Sequence, residues 1–242
     1  MFDIVPFKSF IDLVVDSTKT IELMFNQNEL TVSLLNNSHV CFYDAVFKKE
    51  FFDYYKVDGA ESIVVDTGDL FKILKSSKAT DELQMESDDA HLLMRFESKD
   101  GNRRIFELPL IDLEYESPKP PQVPHDLDFL VEISKLIQCS SDLDKIVNTD
   151  RFKFVVSDDG VSVTAPDDSM TGYRCELDET IIGDCSVNVN TSYVSGLNKL
   201  SKVNGIVELG LGSNVPLSWK ISSKTEDVVF KGLIAPIIED NG

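Results

Sequence analysis

TGDLFKILKS (residues 67–76) and TSYVSGLNKL (residues 191–200) decide how the chain is read, because they are two versions of one segment. Each follows a strand-like run, 62–66 and 185–189; Thr67 can cap the first helix, and Thr191 begins the second. In the first, Leu70, Ile73 and Leu74 share one face, and at about 100° per residue Lys72 and Lys75 lie on the opposite one. In the second, Val194, Leu197 and Leu200 point inward, and Lys199 and Lys202 point away. The offset of 124 residues pairs Thr67 with Thr191, Leu70 with Val194 and Ile73 with Leu197. It goes on to pair Lys75 with Lys199, Lys78 with Lys202, Leu83 with Val207, Met85 with Leu209 and Leu93 with Leu217. A chain that repeats itself in this way is expected to be pseudo-symmetric.

Outward from these helices, both halves predict the same order of elements. The first half opens on a short apolar run that Pro6 breaks, then a helix over 7–20. Strands are expected at 21–25, 29–35, 39–47 and 62–66, then a helix at 68–77, then strands at 83–86, 90–97 and 103–108. Phe51, Phe52, Tyr54 and Tyr55 read as core and strand. The second half predicts a strand at 129–133, a helix somewhere in 134–147, and strands at 152–157 and 161–165 about the turn Asp158-Asp159-Gly160. Strands at 173–177 and 185–189, a helix from Thr191 through 203, and strands at 206–211, 217–222 and 228–234 complete it. The expected fold class is α+β: two similar domains, each with two helices and antiparallel sheets.

Between the halves, LIDLEYESPKPPQVPHDLDF (110–129) holds four of the nine prolines: Pro118, Pro120, Pro121 and Pro124. Proline fixes φ and donates no backbone hydrogen bond, so 117–124 can join neither a helix nor a central strand. The expected boundaries are a domain at 1–113, a connector at 114–128 and a domain at 129–242. Composition leaves open whether this extended, acidic strap is a plain linker or also lines a docking groove.

The formal net charge of -19, from 42 acidic and 23 basic residues, argues against nucleic-acid binding by bulk charge. It leaves room for a few bases gathered on one surface. Cys41, Cys139, Cys175 and Cys185 have no CxxC spacing and read as reduced, buried thiols of an intracellular protein. No leader and no apolar run near the roughly 18–20 residues of a membrane span is seen, so neither secretion nor a membrane is expected. His39, His91 and His125 lack metal-ligand spacing, and no GxSxG or GxxxxGK[ST] is present. Gly210-Leu211-Gly212 falls between two strands, and Asp158-Asp159 and Asp167-Asp168 read as solvated turns. No catalytic residue, metal or cofactor is expected, which favours a binding or scaffold protein over an enzyme.

Several stretches resemble one family in register along nearly the whole chain. They are LLNNSHV (34–40), FFDYY (51–55), KILK (72–75), LIDL (110–113), NVPL (214–217) and APIIED (235–240). Each is weak alone; together they resemble the DNA sliding clamp family of the proliferating cell nuclear antigen type. The resemblance implies a closed ring of three subunits, six similar domains around duplex DNA, with helices lining the hole and sheets outside. It implies a non-enzymatic processivity factor, most simply a homotrimer, that tethers DNA polymerase, clamp loader, nuclease and ligase through short peptide motifs. A subunit of a hetero-oligomeric ring, checkpoint-type or built with paralogues, is the alternative. The implied location is intracellular: nuclear for a eukaryote or its virus, cytoplasmic for an archaeon.

Carried over position by position, the DNA-facing residues would be Lys8, Lys72, Lys75, Lys199 and Lys202. The peptide groove would use Leu35, His39, Val40, Val123, Pro124, Leu127, Pro216, Ile234, Ala235 and Pro236. The subunit contact would use Arg103, Ile105 and Glu107 on one strand and Tyr173, Cys175 and Leu177 on another.

Overall fold

Alternation of apolar and polar residues builds the strands of this chain in two separate units. The computed structural model describes residues 2–113, 117–167 and 169–238. One unit comprises residues 1–120 with 222–230, the other residues 121–221 with 231–242. In chain order the first runs β1 (Phe2–Asp3), α1 (Ile4–Val14), β2 (Thr20–Phe25), β3 (Glu29–Leu35), β4 (Cys41–Lys48), β5 (Glu61–Asp66), α2 (Thr67–Lys75), β6 (Glu82–Ser87), β7 (His91–Glu97) and β8 (Arg103–Pro109). The remainder is β9 (Leu127–Glu132), α3 (Ile133–Asp142), β10 (Arg151–Ser157), β11 (Gly160–Thr164), β12 (Arg174–Asp178), β13 (Cys185–Asn190), α4 (Thr191–Gly196), β14 (Ile206–Leu211), β15 (Leu217–Ser222) and β16 (Val228–Ile234). A π-type turn, Leu143–Val147, extends α3, and a 3₁₀ turn, Leu197–Leu200, extends α4.

Within each unit the ladders described below are antiparallel, and the pairing repeats. In the first unit β5-β2-β3-β4 form one ladder and β1-β6-β7-β8 another. In the second, β13-β10-β11-β12 copy the former and β9-β14-β15 the latter. The offset of the sequence repeat carries both ends of β6 onto both ends of β14. The entry to the second helix is repeated to the atom: Thr67 N donates to Lys19 O at 3.0 Å, and Thr191 N to Asp150 O at 2.7 Å.

Packing explains where the helices lie. Ile4, Phe7, Phe10, Ile11 and Val14 fall on one stripe of α1 and are fully buried. Phe10 stacks on Phe230 at 5.5 Å between centroids, and Phe7 meets Phe47 edge-on at 5.6 Å. In the second unit Leu136, Phe152, Phe154, Leu200 and Trp219 are buried, and a Cβ on Gly232 would lie 2.3 Å from the Trp219 ring.

Several expectations shift. The helix expected over 7–20 runs Ile4–Val14, and Pro6, read as a breaker, lies inside its first turn. A missing N–H costs nothing there, because those donors have no partner within the helix. The helix caps are Asp66, rather than Thr67, and Asn190, the residue before Thr191. Their carboxylate and amide oxygens accept from Asp69 N at 2.8 Å and Ser192 N at 2.9 Å. The threonines are buried instead. The helix expected to run from Thr191 through 203 ends at Gly196, where glycine is a poor helix former, and tightens to 3₁₀ geometry. Residues 51–55 form no strand, although Phe51 and Phe52 do pack on Phe2, at 5.5 and 5.0 Å.

The β10–β11 turn uses its glycine differently from a simple Asp-Gly hairpin. Neither Asp158 nor Asp159 is among the residues with positive φ, whereas Gly160 has φ +109° just after the turn. A Cβ there would meet Asp178 O at 2.3 Å. Gly160→Ala is therefore expected to lower unfolding free energy by about 1–3 kcal/mol, read from the urea midpoint.

Candidate functional site

Each helix pair leaves one polar face, and the basic residues of interest sit there. On α2, Leu70 and Leu74 are buried while Lys72 and Lys75 are exposed. Lys72 Nζ lies 2.8 Å from Asp69 Oδ1, and that carboxylate holds the ammonium above its ordinary pKa. Lys75 Nζ stands 5.8 Å over the Phe71 ring. Lys199 and Lys202 are likewise exposed, on the 3₁₀ turn after α4 and just beyond it.

Lys8 is placed differently. It is half-buried, and its ammonium donates to Ser77 O at 2.9 Å. Arg104 donates to the neighbouring Ser76 O at 3.0 Å and to Asp81 Oδ2 at 2.7 Å. Two cations thus satisfy the carbonyls at the C-terminal end of α2, where the helix dipole favours positive charge. Two exposed bases of the second unit, Lys135 on α3 and Lys145 on the turn after it, escaped the sequence reading. The signal was available: both lie off the buried stripe of Ile133, Leu136, Cys139 and Leu143.

Two edge strands carry the residues read as a subunit contact. β8 ends the ladder of the first unit, with Arg103, Ile105 and Glu107 exposed and Arg104, Phe106 and Leu108 turned away. Ile105 is 60% exposed, unusual for an apolar side chain on a strand. β12 ends the ladder of the second unit and begins one residue later than expected, so Tyr173 precedes it. Tyr173, Cys175 and Leu177 point inward and are half-buried or buried, and the Tyr173 hydroxyl donates to Asp142 Oδ2 at 3.2 Å. Burial raises the Tyr173 pKa and pushes the Cys139 thiol up to about 12. Among the described residues, no three His, Cys, Asp or Glu side chains converge as for a metal ion.

The strap, residues 117–126, has no helix or strand. Val123, His125 and Leu127 are half-buried and alternate with exposed Pro124, Asp126 and Asp128. Three contacts fasten its end to the 211–216 loop: Asp126 N to Leu211 O at 2.8 Å, Ser213 N to Asp126 Oδ2 at 3.0 Å, and His125 Nε2 3.2 Å from Pro216 O. The structure therefore brings the strap to Pro216. Ala235 and Pro236 are half-buried in the same unit, whereas Ile234 is wholly in the core. In the other unit Leu35 and Val40 flank a turn built by Asn36, whose side-chain oxygen accepts from Val40 N at 2.8 Å and Cys41 N at 3.0 Å. His39 is exposed there, with φ +58°. Residues 239 and 240 of the APIIED stretch, and residues 114–116 and 168, lie outside the described residues.

Lys8→Met is expected to lower stability by about 1 kcal/mol, the worth of a lost charged hydrogen bond to a helix end. Lys72→Ala, which removes only an exposed pair, should stay within about 0.5 kcal/mol of the parent. Paired urea titrations check both.

Residues 5–118 match the family model described as "Proliferating cell nuclear antigen, N-terminal domain". The chain is 29% identical over 235 residues to a protein named DNA polymerase sliding clamp from Methanothermobacter thermautotrophicus, covering 94% of this chain and 92% of the relative. It is 27% identical to the protein of the same name from Methanobrevibacter smithii, over 97% and 95% of the two chains. Among solved structures it is similar to a chain of the PCNA2–PCNA3 complex from Sulfolobus tokodaii, with TM-score 0.86, 20% identity and coverage of 99% and 98%. It is also similar to the proliferating cellular nuclear antigen of Entamoeba histolytica, with TM-score 0.83, 18% identity and coverage of 97% and 96%. The structural likenesses speak to the fold.

Proposed function

We propose that the chain is a DNA sliding clamp of the proliferating cell nuclear antigen type, three copies of which close into a ring around duplex DNA. Its function is that of a DNA polymerase sliding clamp, a processivity factor. The observation that carries the ring reading is the duplicated unit: one topology built twice, with exposed lysines 124 residues apart on equivalent helices. A topologically linked ring needs little intrinsic affinity for DNA. A chain of charge -19 can therefore work on DNA if its acids face outward and a few bases face in. Lys75, Lys199 and Lys202 supply those contacts, with Lys72 contributing less while Asp69 neutralises it. Lys8 contributes through α2 rather than through phosphate.

Closure uses the edges. β8 of one copy pairs with β12 of the next, a head-to-tail contact that removes both unpaired ladders and covers Ile105. Ile105→Asp should convert the trimer to folded monomers by light scattering; an unchanged trimer would count against this pairing. A chain that trimerises only when a non-identical subunit is added would instead point to a hetero-oligomeric ring, the arrangement suggested by the two-paralogue complex it resembles.

Partners dock by a short peptide on the strap. Val123, Pro124 and Leu127, with Pro216, Ala235 and Pro236, form an apolar wall for aliphatic and aromatic anchors, while the strap's acids stay in water. Val123→Ala with Leu127→Ala should weaken a Gln-x-x-Leu-x-x-Phe-Phe peptide about thirtyfold by calorimetry, with the ring intact. The triple variant Lys72→Ala, Lys75→Ala, Lys199→Ala should remain folded and lose clamp-dependent synthesis on primed circular DNA, with a flatter salt dependence. Undiminished synthesis would remove the lysines from the inner face. The setting is intracellular, where the DNA and the polymerase are.

A further inference from the structure

Glu22 is a buried carboxylate that none of the surfaces above uses. It lies on β2, 6% exposed, on the strand face opposite Ile21 and Leu23. Among the described ion pairs it has no cation. Such a group is costly to bury unless its oxygens are satisfied by donors. Here each oxygen accepts from a serine hydroxyl: Oε1 from Ser62 on β5 and Oε2 from Ser117. Ser117 immediately precedes Pro118, the first of the strap's four prolines.

The residues just before the connector also run back along the first unit. Leu110 N donates to Ala90 O and Ile111 N to Val64 O, both at 2.8 Å, and Val64 is the register partner of Glu22. We propose that Glu22 is a positioning residue for partner docking: its carboxylate latches Ser117 and so sets where the docking segment of the connector begins. This inference rests on the reading of the strap as a peptide-binding wall.

Held at Ser117, the connector is free only across 118–124, because His125 and Asp126 are fastened at the other end. Proline-rich chain over so short a span has few conformations. Released at Ser117, the connector loses that fastening, and docking must then order more chain. The latch thus sets affinity through pre-organisation, without touching the peptide. Ser62 holds the other carboxylate oxygen and, among the described residues, has no hydrogen bond to the connector, which makes it the internal control.

The test combines calorimetry with the Gln-x-x-Leu-x-x-Phe-Phe peptide and amide hydrogen exchange across 117–125 on the full chain. Ser117→Ala is expected to weaken the peptide about tenfold and to speed exchange at the non-proline residues of 118–124, with solution mass unchanged. Glu22→Gln leaves one acceptor for two hydroxyls and should weaken it about threefold. The double variant should be no weaker than Ser117→Ala alone, because Glu22 acts through Ser117. Ser62→Ala should stay within about twofold. Parental affinity and parental exchange in Ser117→Ala would overturn the latch, as would fully additive losses in the double variant. If Ser117→Ala binds normally while Val123→Ala with Leu127→Ala does not, the latch fails and the wall stands. If the wall variant binds normally but Ser117→Ala still speeds exchange, the latch holds the strap and the docking reading fails.

Discussion

A helix laid on a sheet has one face to bury and one face to give to water, and this constraint decides where the lysines of this chain can be. In α1 and α2, the apolar stripes of Phe7, Phe10, Leu70 and Leu74 are fully buried. Lys72 and Lys75 are left outside, and so are Lys199 and Lys202, on the 3₁₀ turn after α4 and just beyond it. No local excess of positive charge is required. A strongly acidic chain can present a basic face because packing sorts side chains by face before their charges matter.

The polar groups at the ends of these elements are satisfied with equal economy. The last carbonyls of α2 receive Arg104 and Lys8, which ties the helix to the edge strand β8 and to α1. Glu22, with no cation paired to it among the described residues, receives two hydroxyls, one of them from Ser117 of the connector. His125 and Asp126 hold its other end to the 211–216 loop. The proline-rich strap is defined by what its prolines forbid and by fastening at both ends. Such fastening would suit the proposed docking surface, which must keep its shape as a partner comes and goes.

Much of the fold was legible because burial has a period. Strands β3, β14, β15 and β16 begin and end where alternation places them, and the offset of 124 residues was readable from the apolar stripes of two helices. Caps were less legible. Thr67 and Asp66 are both good capping residues in sequence, and only the turn geometry selects the aspartate. Pro6 read as a breaker because its tolerance in a first turn depends on where the helix starts. For the candidate site, exposed lysines follow from periodicity, and the same argument applied to α3 would have found Lys135 and Lys145. That Lys8 faces a helix end, and that Ser117 reaches Glu22 95 positions away, depends on tertiary contacts no local pattern encodes.

The central claim is topological: the protein stays on DNA because it surrounds it. The direct measurement is retention of loaded protein on circular DNA through gel filtration in high salt, before and after a single linearising cut. A clamp stays with the circle when salt has screened every phosphate contact, and it runs off the ends once the circle is cut. Loss from the intact circle in high salt, or equal retention before and after linearisation, would mean that it is held by contact alone and would contradict the account.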